Sequence, residues 1–500
     1  MRATQSIRNE LALAAVWLCA LMVGLEISSV PAILPTLGKI LPADFQQLQW
    51  IMNAYTIAMT ACLMGAGALA DRFGRKRIFM SGVLVFGISS LACGLATSAA
   101  ILIAARFVQG VGGAALLACQ VAVLSHQFRD APERGMAFSG WGIVFGTGLG
   151  FGPLAGAATV AIMGWQWVFL VHAALAAITM FLARSGIAES RDPLAVRTDF
   201  AGIVTLSLAV FCLVYLITRG QALRLDEPLG LGVAALGVAS ILMFAVVEMT
   251  MARPMVAFGT LRISTFSGAL LGAAGMNASF WPFVVYLPIY FQAGLGYDGM
   301  TSGLALLAYT LPTLIAPPFG ERMLLRHGPV IVLPLGLFVI GAGFFLMRLG
   351  ALSEFSGWAA MLPGCILAGT GVGLMNTPVA NTATASVPAE QAGMGSGMDM
   401  GVRMISLSIN IALMGFILLR GIRAGLAESN LQGVAAHALG QAIAAGNLHA
   451  AEASGIAKPV AERALAHGFG WVMLYALVCA WALSALSFAV LRRKRPMQMK

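Results

Sequence analysis

Charge is what this 500-residue chain has least of: Asp, Glu, Lys and Arg make up 10% of it, against 59% hydrophobic residues. The mean hydropathy is +0.87. A water-soluble globule of this length needs a charged exterior that 30 basic and 20 acidic side chains cannot supply, so the surplus apolar surface must face lipid. Its 7 cysteines all lie inside apolar runs, with no CxxC pair. That excludes a disulfide framework and a cysteine metal site. No GxxxxGK[ST] run exists to serve nucleotide-driven transport. The glycines from Gly146 spell a GxGxxG-like fragment, but inside an apolar run with no strand–helix–strand context. No cluster of His, Asp and Ser stands out in the apolar runs, which counts against a membrane enzyme. His437, His449 and His467 are widely spaced and lack clustered acids, so no metal site is expected. The first apolar run lacks a small-residue cleavage pattern and reads as a retained span.

What charge there is falls between the apolar runs, as in Arg72-Phe73-Gly74-Arg75-Lys76-Arg77 and Arg492-Arg493-Lys494-Arg495. The net charge of +10 therefore reads as basic inner loops and not as a nucleic-acid-binding face. A helix rises 1.5 Å per residue, so crossing a core of about 30 Å takes roughly 20 apolar residues. Fourteen spans emerge on that ruler: 12–34, 49–70, 78–97, 101–124, 137–160, 167–186, 200–218, 229–250, 266–291, 301–320, 330–348, 358–378, 398–419 and 469–491. Continuous apolar stretches favour helices over a barrel of short alternating strands. With the N-terminus inside, 20 of the 30 Lys and Arg fall in or beside inner segments, 8 in or beside outer ones, and Arg106 and Arg403 lie within spans. Both termini are accordingly expected in the cytoplasm of a multi-pass inner-membrane protein.

The echo of Arg72-Phe73-Gly74 in Arg326-His327-Gly328 points to duplicated six-helix halves. The expected organisation is an N-terminal bundle over 1–190, an inserted helix pair over 191–262 and a C-terminal bundle over 263–500. The long outer loop 420–468 has the spacing of one or two short amphipathic helices, suited to the bilayer surface or to a partner. Duplicated bundles are a transporter architecture, with the substrate site near the midplane between the halves.

Span 2 runs into Gly67-Ala68-Leu69-Ala70-Asp71-Arg72-Phe73-Gly74-Arg75. This pattern resembles the signature of the major facilitator superfamily in the loop after its second helix. Arg106-Phe107-Val108-Gln109-Gly110-Val111-Gly112-Gly113 in span 4 resembles the family motif associated with proton coupling. Gly148-Leu149-Gly150-Phe151-Gly152-Pro153-Leu154-Ala155-Gly156 in span 5 resembles the antiporter signature, although Ala157 stands where a second glycine is usual. Leu25-Glu26 through Leu34-Pro35 in span 1 resembles the 14-helix drug:proton antiporters, with Glu26 in place of the usual aspartate. The resemblance implies an all-α integral membrane fold of two six-helix bundles plus an inserted pair. It also implies proton-coupled efflux of hydrophobic or cationic compounds, with the proton gradient and no cofactor as the driving agent. Gly67, Asp71, Arg72, Gly74 and Arg75 would then form a cytoplasmic gate latch, and Gly148, Gly152, Pro153 and Gly156 a gating seam. A periplasmic adaptor with an outer-membrane channel is a candidate partner for the outer loop. The alternatives are a facilitator-family transporter dedicated to one metabolite, exporter or importer, and a membrane receptor without flux.

Charge inside the spans locates the chemistry, because a charged side chain at a helix centre costs about 2.5–3.5 kcal/mol on insertion scales. Glu26 lies about 21 Å from the inner end of span 1, and Arg106 about 7–8 Å from the outer end of span 4, at similar depth. Glu26 is the expected proton carrier, with Arg106 as its partner. Asp399 and Arg403, one helical turn apart in span 13, are a second candidate pair. Glu248 at the inner end of span 8 reads as a solvated cap. Substrate contacts are expected from the polar-tipped and aromatic residues Tyr55, Gln109, Asn277, Trp281, Tyr286 and Tyr290, with Pro282 and Pro288 bending span 9.

Overall fold

A computed structural model describes residues 2–41, 43–128, 131–191, 200–219, 228–251, 259–352, 357–387, 392–426, 434–453 and 456–493. It is all-helical among these residues. The first eight helices are α1 (Arg2–Ile40), α2 (Phe45–Phe73), α3 (Arg75–Gly94), α4 (Ala99–Gln127), α5 (Ala131–Met163), α6 (Gln166–Gly186), α7 (Phe200–Arg219) and α8 (Pro228–Thr250). They coincide with the first eight expected spans. Span 9 becomes α9 (Ser264–Ser279), α10 (Phe283–Ile289) and a wide turn over Tyr290–Gly294, and span 10 becomes α11 (Gly299–Thr310), α12 (Pro312–Ile315) and α13 (Pro317–His327). The remainder are α14 (Pro329–Leu352), α15 (Trp358–Ala385), α16 (Ala392–Leu426), the short α17 (Val434–Ala444) and α18 (His449–Ala453), and α19 (Lys458–Arg492). Among the described residues, twelve stretches are long and apolar enough to cross a bilayer. The other two of the fourteen are α2 and α7, the latter with a shorter apolar stretch over Ala201–Ile217.

Proline sets the breaks. Pro282 has no N–H to give, and around it the ladder changes pitch: Trp281 N donates to Met276 O at 3.2 Å and Phe283 N to Phe280 O at 3.0 Å. Pro312 and Pro317 open α12 and α13 in the same way.

The chain divides into two compact units, Met1–Met251 with Asp298–Leu304, and Ala252–Tyr297 with Ala305–Lys500. In the first, the inserted helices α7 and α8 pack beside the bundle. Trp50 on α2 meets Phe211 and Tyr215 on α7 with ring centroids 6.0 and 5.9 Å apart, and Ser207 Oγ donates to Ala61 O at 3.3 Å. Glu248 on α8 is buried, 3% exposed, and not the solvated cap its position at a span end implies.

In the second unit the connection expected over 420–468 is shorter. α16 continues to Leu426 and α19 starts at Lys458 because small residues let the two helices touch. A Cβ on Gly421 would sit 2.7 Å from Gly468 Cα, and one on Gly425 3.1 Å from Ala464 Cα. The apolar face of α17 covers this same bundle: Leu439, Ile443 and Ala444 are buried, and Gly440 lies against Arg423 and Leu419 of α16. That face is therefore filled by its own chain, not by the bilayer surface or a partner. The side chains of His437 and His449 lie outside the described residues.

Candidate functional site

A buried polar cluster lies in the first unit, where α1, α2, α3, α4 and α6 meet. Glu26 on α1 and Arg106 on α4 are both completely buried, and Arg106 Nη1 donates to Glu26 Oε1. The guanidinium has further holds. Its Nε donates to Ile51 O at 3.0 Å, its Nη1 to Gln109 Oε1 at 2.7 Å, and its Cζ sits 4.4 Å from the Tyr55 ring centroid. Gln109 in turn donates to Ser90 Oγ on α3 at 2.9 Å. Sequence depth alone places Glu26 and Arg106 at one level; helix packing turns them toward each other.

The glycines of span 4 make this packing possible. A Cβ on Gly110 would lie 2.3 Å from Tyr55 O, and one on Gly112 2.6 Å from Phe86 N, so α4 touches the backbones of α2 and α3. Gly110→Ala should force α2 and α4 apart and draw the Tyr55 ring off Arg106. Overpacking of this kind costs about 1–3 kcal/mol, measurable as a lower unfolding temperature in detergent. Gly148, Gly152 and Gly156 on α5 serve α1 similarly. Ser28 Oγ donates to Gly148 O at 3.0 Å, and a Cβ on Gly156 would meet Ser29 O at 2.8 Å. Pro153 lies within this same continuous helix.

Two members of the first unit escaped the sequence reading. His172 on α6 is buried, with Nδ1 2.8 Å from Val168 O and 3.6 Å from Glu26 Oε2. Asn53 on α2 is completely buried, and neither its Oδ1 nor its Nδ2 has a hydrogen-bond partner among the described residues. Both were visible as polar residues inside apolar runs. Gln49, Asn53, Thr56 and Thr60 also recur at helical spacing, which places them on one face of α2.

In the second unit, Arg403 Nε donates to Asp399 Oδ2 at 2.9 Å and Arg403 Nη1 to Asn376 Oδ1 on α15 at 2.6 Å. Asp399 is 5% exposed, more enclosed than a residue at a span edge need be. Asn376 is a further partner that spacing could not identify, since it comes from another helix. The aromatic and polar candidates are divided between the two units. Tyr55 and Gln109 belong to the Glu26–Arg106 cluster. Asn277 spends its Nδ2 on Ala273 O of its own helix at 2.9 Å. Tyr286 donates its hydroxyl to Ile411 O on α16, and the Tyr290 ring lies 5.0 Å from that of Phe469 on α19. Trp281 alone among the six is part-exposed, its ring edge-on to Phe280 at 5.3 Å.

The loop between α2 and α3 is held by a residue outside its own motif. Glu189, just beyond α6, accepts from Lys76 N at 3.1 Å and lies 3.7 Å from Arg77 Nε, while Arg75 N donates to Ser190 O at 2.8 Å. Gly74 turns the chain here with φ +117°, and a Cβ would fall 2.6 Å from Glu189 Oε1. Gly328, in the echo of this motif, also has positive φ, +73°. A Cβ on Gly67 would meet Ala118 only at an ordinary 3.9 Å, and Arg72 covers the Phe73 ring at 5.1 Å. The side chain of Asp71 lies outside the described residues. Gly74→Ala would combine left-handed strain with a clash on Glu189. It should cost about 1–2 kcal/mol of stability, read as a lowered unfolding temperature, and should slow transport.

Residues 16–411 match the Major Facilitator Superfamily. The chain is a member of that superfamily. Among its relatives is the multidrug resistance protein Stp of Mycobacterium tuberculosis, 30% identical over 419 residues, covering 83% of this chain and 77% of that protein. The drug efflux pump JefA of the same species is 30% identical over 422 residues, covering 84% and 82%. The puromycin resistance protein pur8 of Streptomyces alboniger is 30% identical over 410 residues, covering 82% and 81%. Among solved structures, a bacterial homologue of the human lysosomal transporter Spinster matches over 97% of both chains, with a TM-score of 0.63 at 17% identity. At that identity the likeness shows the fold. This chain is thus a multi-pass membrane transporter of a family that handles small substrates.

Proposed function

We propose that this protein exports hydrophobic and cationic compounds across the cytoplasmic membrane in exchange for protons, with both termini on the cytoplasmic side. The names of its relatives support drug efflux as the class of work. The observation that carries proton coupling is the set of contacts around Arg106. A guanidinium buried for structure alone would depend on its carboxylate. Arg106 instead keeps Ile51 O, Gln109 Oε1 and the Tyr55 ring when Glu26 becomes neutral. The carboxyl can therefore take up and release a proton without stranding a bare cation in the membrane, where the cost would be several kcal/mol.

In this reading Glu26 is protonated from the outer side and deprotonated toward the cytoplasm. Its negative form favours a cationic substrate, so proton and drug exclude one another. Asp399 and Arg403 form a second charged pair available to the same cycle.

The test is flux in proteoliposomes containing the purified full chain. An imposed pH gradient should drive ethidium and tetraphenylphosphonium against their concentration gradients, and collapsing the gradient with nigericin should stop it. Flux of these cations indifferent to the gradient would reject proton coupling. Flux confined to one metabolite would favour a dedicated carrier.

A further inference from the structure

We infer that His172 is a second proton-binding group of the Glu26 site, relaying protons to and from that carboxyl. The inference rests on the proton-coupled reading above and extends it to a residue outside the motifs that suggested that reading.

His172 occupies the middle of the buried stripe of α6, formed by Val168, Phe169, His172, Ala176, Thr179 and Ala183. An apolar side chain would fill that position without the cost of burying an imidazole. The ring is 3% exposed and meets Phe86 edge-on, with centroids 6.1 Å apart. Its Nδ1 lies between two acceptors, Val168 O at 2.8 Å and Glu26 Oε2 at 3.6 Å. Its Nε2 is buried with no hydrogen-bond partner among the described residues, and Glu26 Oε2 is likewise unpartnered by hydrogen bond. The carboxylate oxygen not engaged by Arg106 is thus the one that faces the imidazole. The other ionisable groups of this cluster are Arg106 from α4, Tyr55 from α2, Cys93 from α3 and Cys19 from α1. α5 adds none among its described side chains, since Glu133 is exposed in its first turn. Imidazole is the side chain that exchanges protons near neutral pH, and it has two nitrogens through which to do so.

The transfer balances without a co-reactant other than the proton itself. In the neutral ring, Nδ1–H donates to Val168 O and the Nε2 lone pair is free. A proton arriving at Nε2 makes the imidazolium. The Nδ1 proton then passes to Glu26 Oε2, leaving a neutral ring protonated at Nε2 and a neutral carboxyl. Release runs the same steps in reverse. A closure of the 3.6 Å gap by less than 1 Å brings the pair within proton-transfer distance.

The experiment compares wild type, Glu26→Gln, His172→Asn and His172→Gln in proteoliposomes, with ethidium as the probe. Two rates are measured between pH 6 and pH 8: gradient-driven ethidium flux, and ethidium exchange at equal pH on both sides. In the His172 variants, driven flux should fall about tenfold more than exchange, because a removed proton shuttle slows only the protonation steps. The deficit should be greater at pH 8 than at pH 6, since direct protonation of the carboxylate slows as protons become scarce. If driven flux and its pH profile match wild type in both variants while Glu26→Gln loses driven flux, His172 is not a relay and the carrier role of Glu26 stands. If driven flux and exchange fall in step in both variants, the ring serves packing and the inference is again overturned. If wild type itself ignores the gradient, the proton-coupled reading fails and the relay with it.

Discussion

Glu26→Gln is expected to lower gradient-driven ethidium flux on the order of a hundredfold and to weaken ethidium binding, as protonation of the carboxyl would. The amide keeps the length and shape of the side chain and can still accept from Arg106, whose guanidinium also retains Ile51 O and Gln109. What the amide cannot do is carry a proton. The effect should therefore fall on coupling and not on folding. Initial rates with and without a pH gradient, alongside ethidium binding by fluorescence, separate the two. Driven flux at the wild-type level in Glu26→Gln would remove this carboxyl from the coupling cycle.

Arg106→Ala should be the most destabilising single change in the first unit. It deletes the partner of a completely buried carboxylate and uncovers the Ile51 carbonyl and the Gln109 amide at once. Removing one side of a buried ion pair costs about 3–5 kcal/mol, because the remaining charge is left without compensation. The diagnostic comparison is Glu26→Gln/Arg106→Ala. Neutralising the stranded carboxylate should recover about 1–3 kcal/mol relative to Arg106→Ala alone, as a coupling energy in a double-mutant cycle. Unfolding in detergent provides the measurement. Strict additivity of the two substitutions would mean that the carboxylate in Arg106→Ala finds compensation elsewhere.

The membrane class and the helical spans were legible in the chain because hydrophobic length is a local property, set by 1.5 Å of rise per residue against a fixed thickness of hydrocarbon. Thus α3, α4 and α6 lie within a few residues of their expected ranges. Helix ends were less legible. α16 and α19 extend into the segment read as an outer loop because Gly421, Gly425 and Gly468 allow contact between two helices far apart in sequence. The same distinction accounts for α17. Its amphipathic spacing was visible, but only packing shows that its own bundle covers the apolar face.

At the candidate site, Glu26 and Arg106 could be identified from sequence because isolated charge in an apolar run is costly wherever the helix packs. Their hydrogen bond could not, since depth along a helix does not fix rotation about its axis. His172, Asn376 and Glu189 reach their partners from α6, from α15 and from beyond the end of α6, at separations that carry no periodic signal. Nor could the spacing of Tyr286 and Tyr290 reveal that these rings meet α16 and α19. The sequence by itself therefore determined that the chain enters lipid, where it crosses, and which charges must have a purpose there. Tertiary structure alone decided which of those charges share a buried cluster, because that depends on the azimuth of each helix, set by the close approach of glycine-lined surfaces distant in the chain.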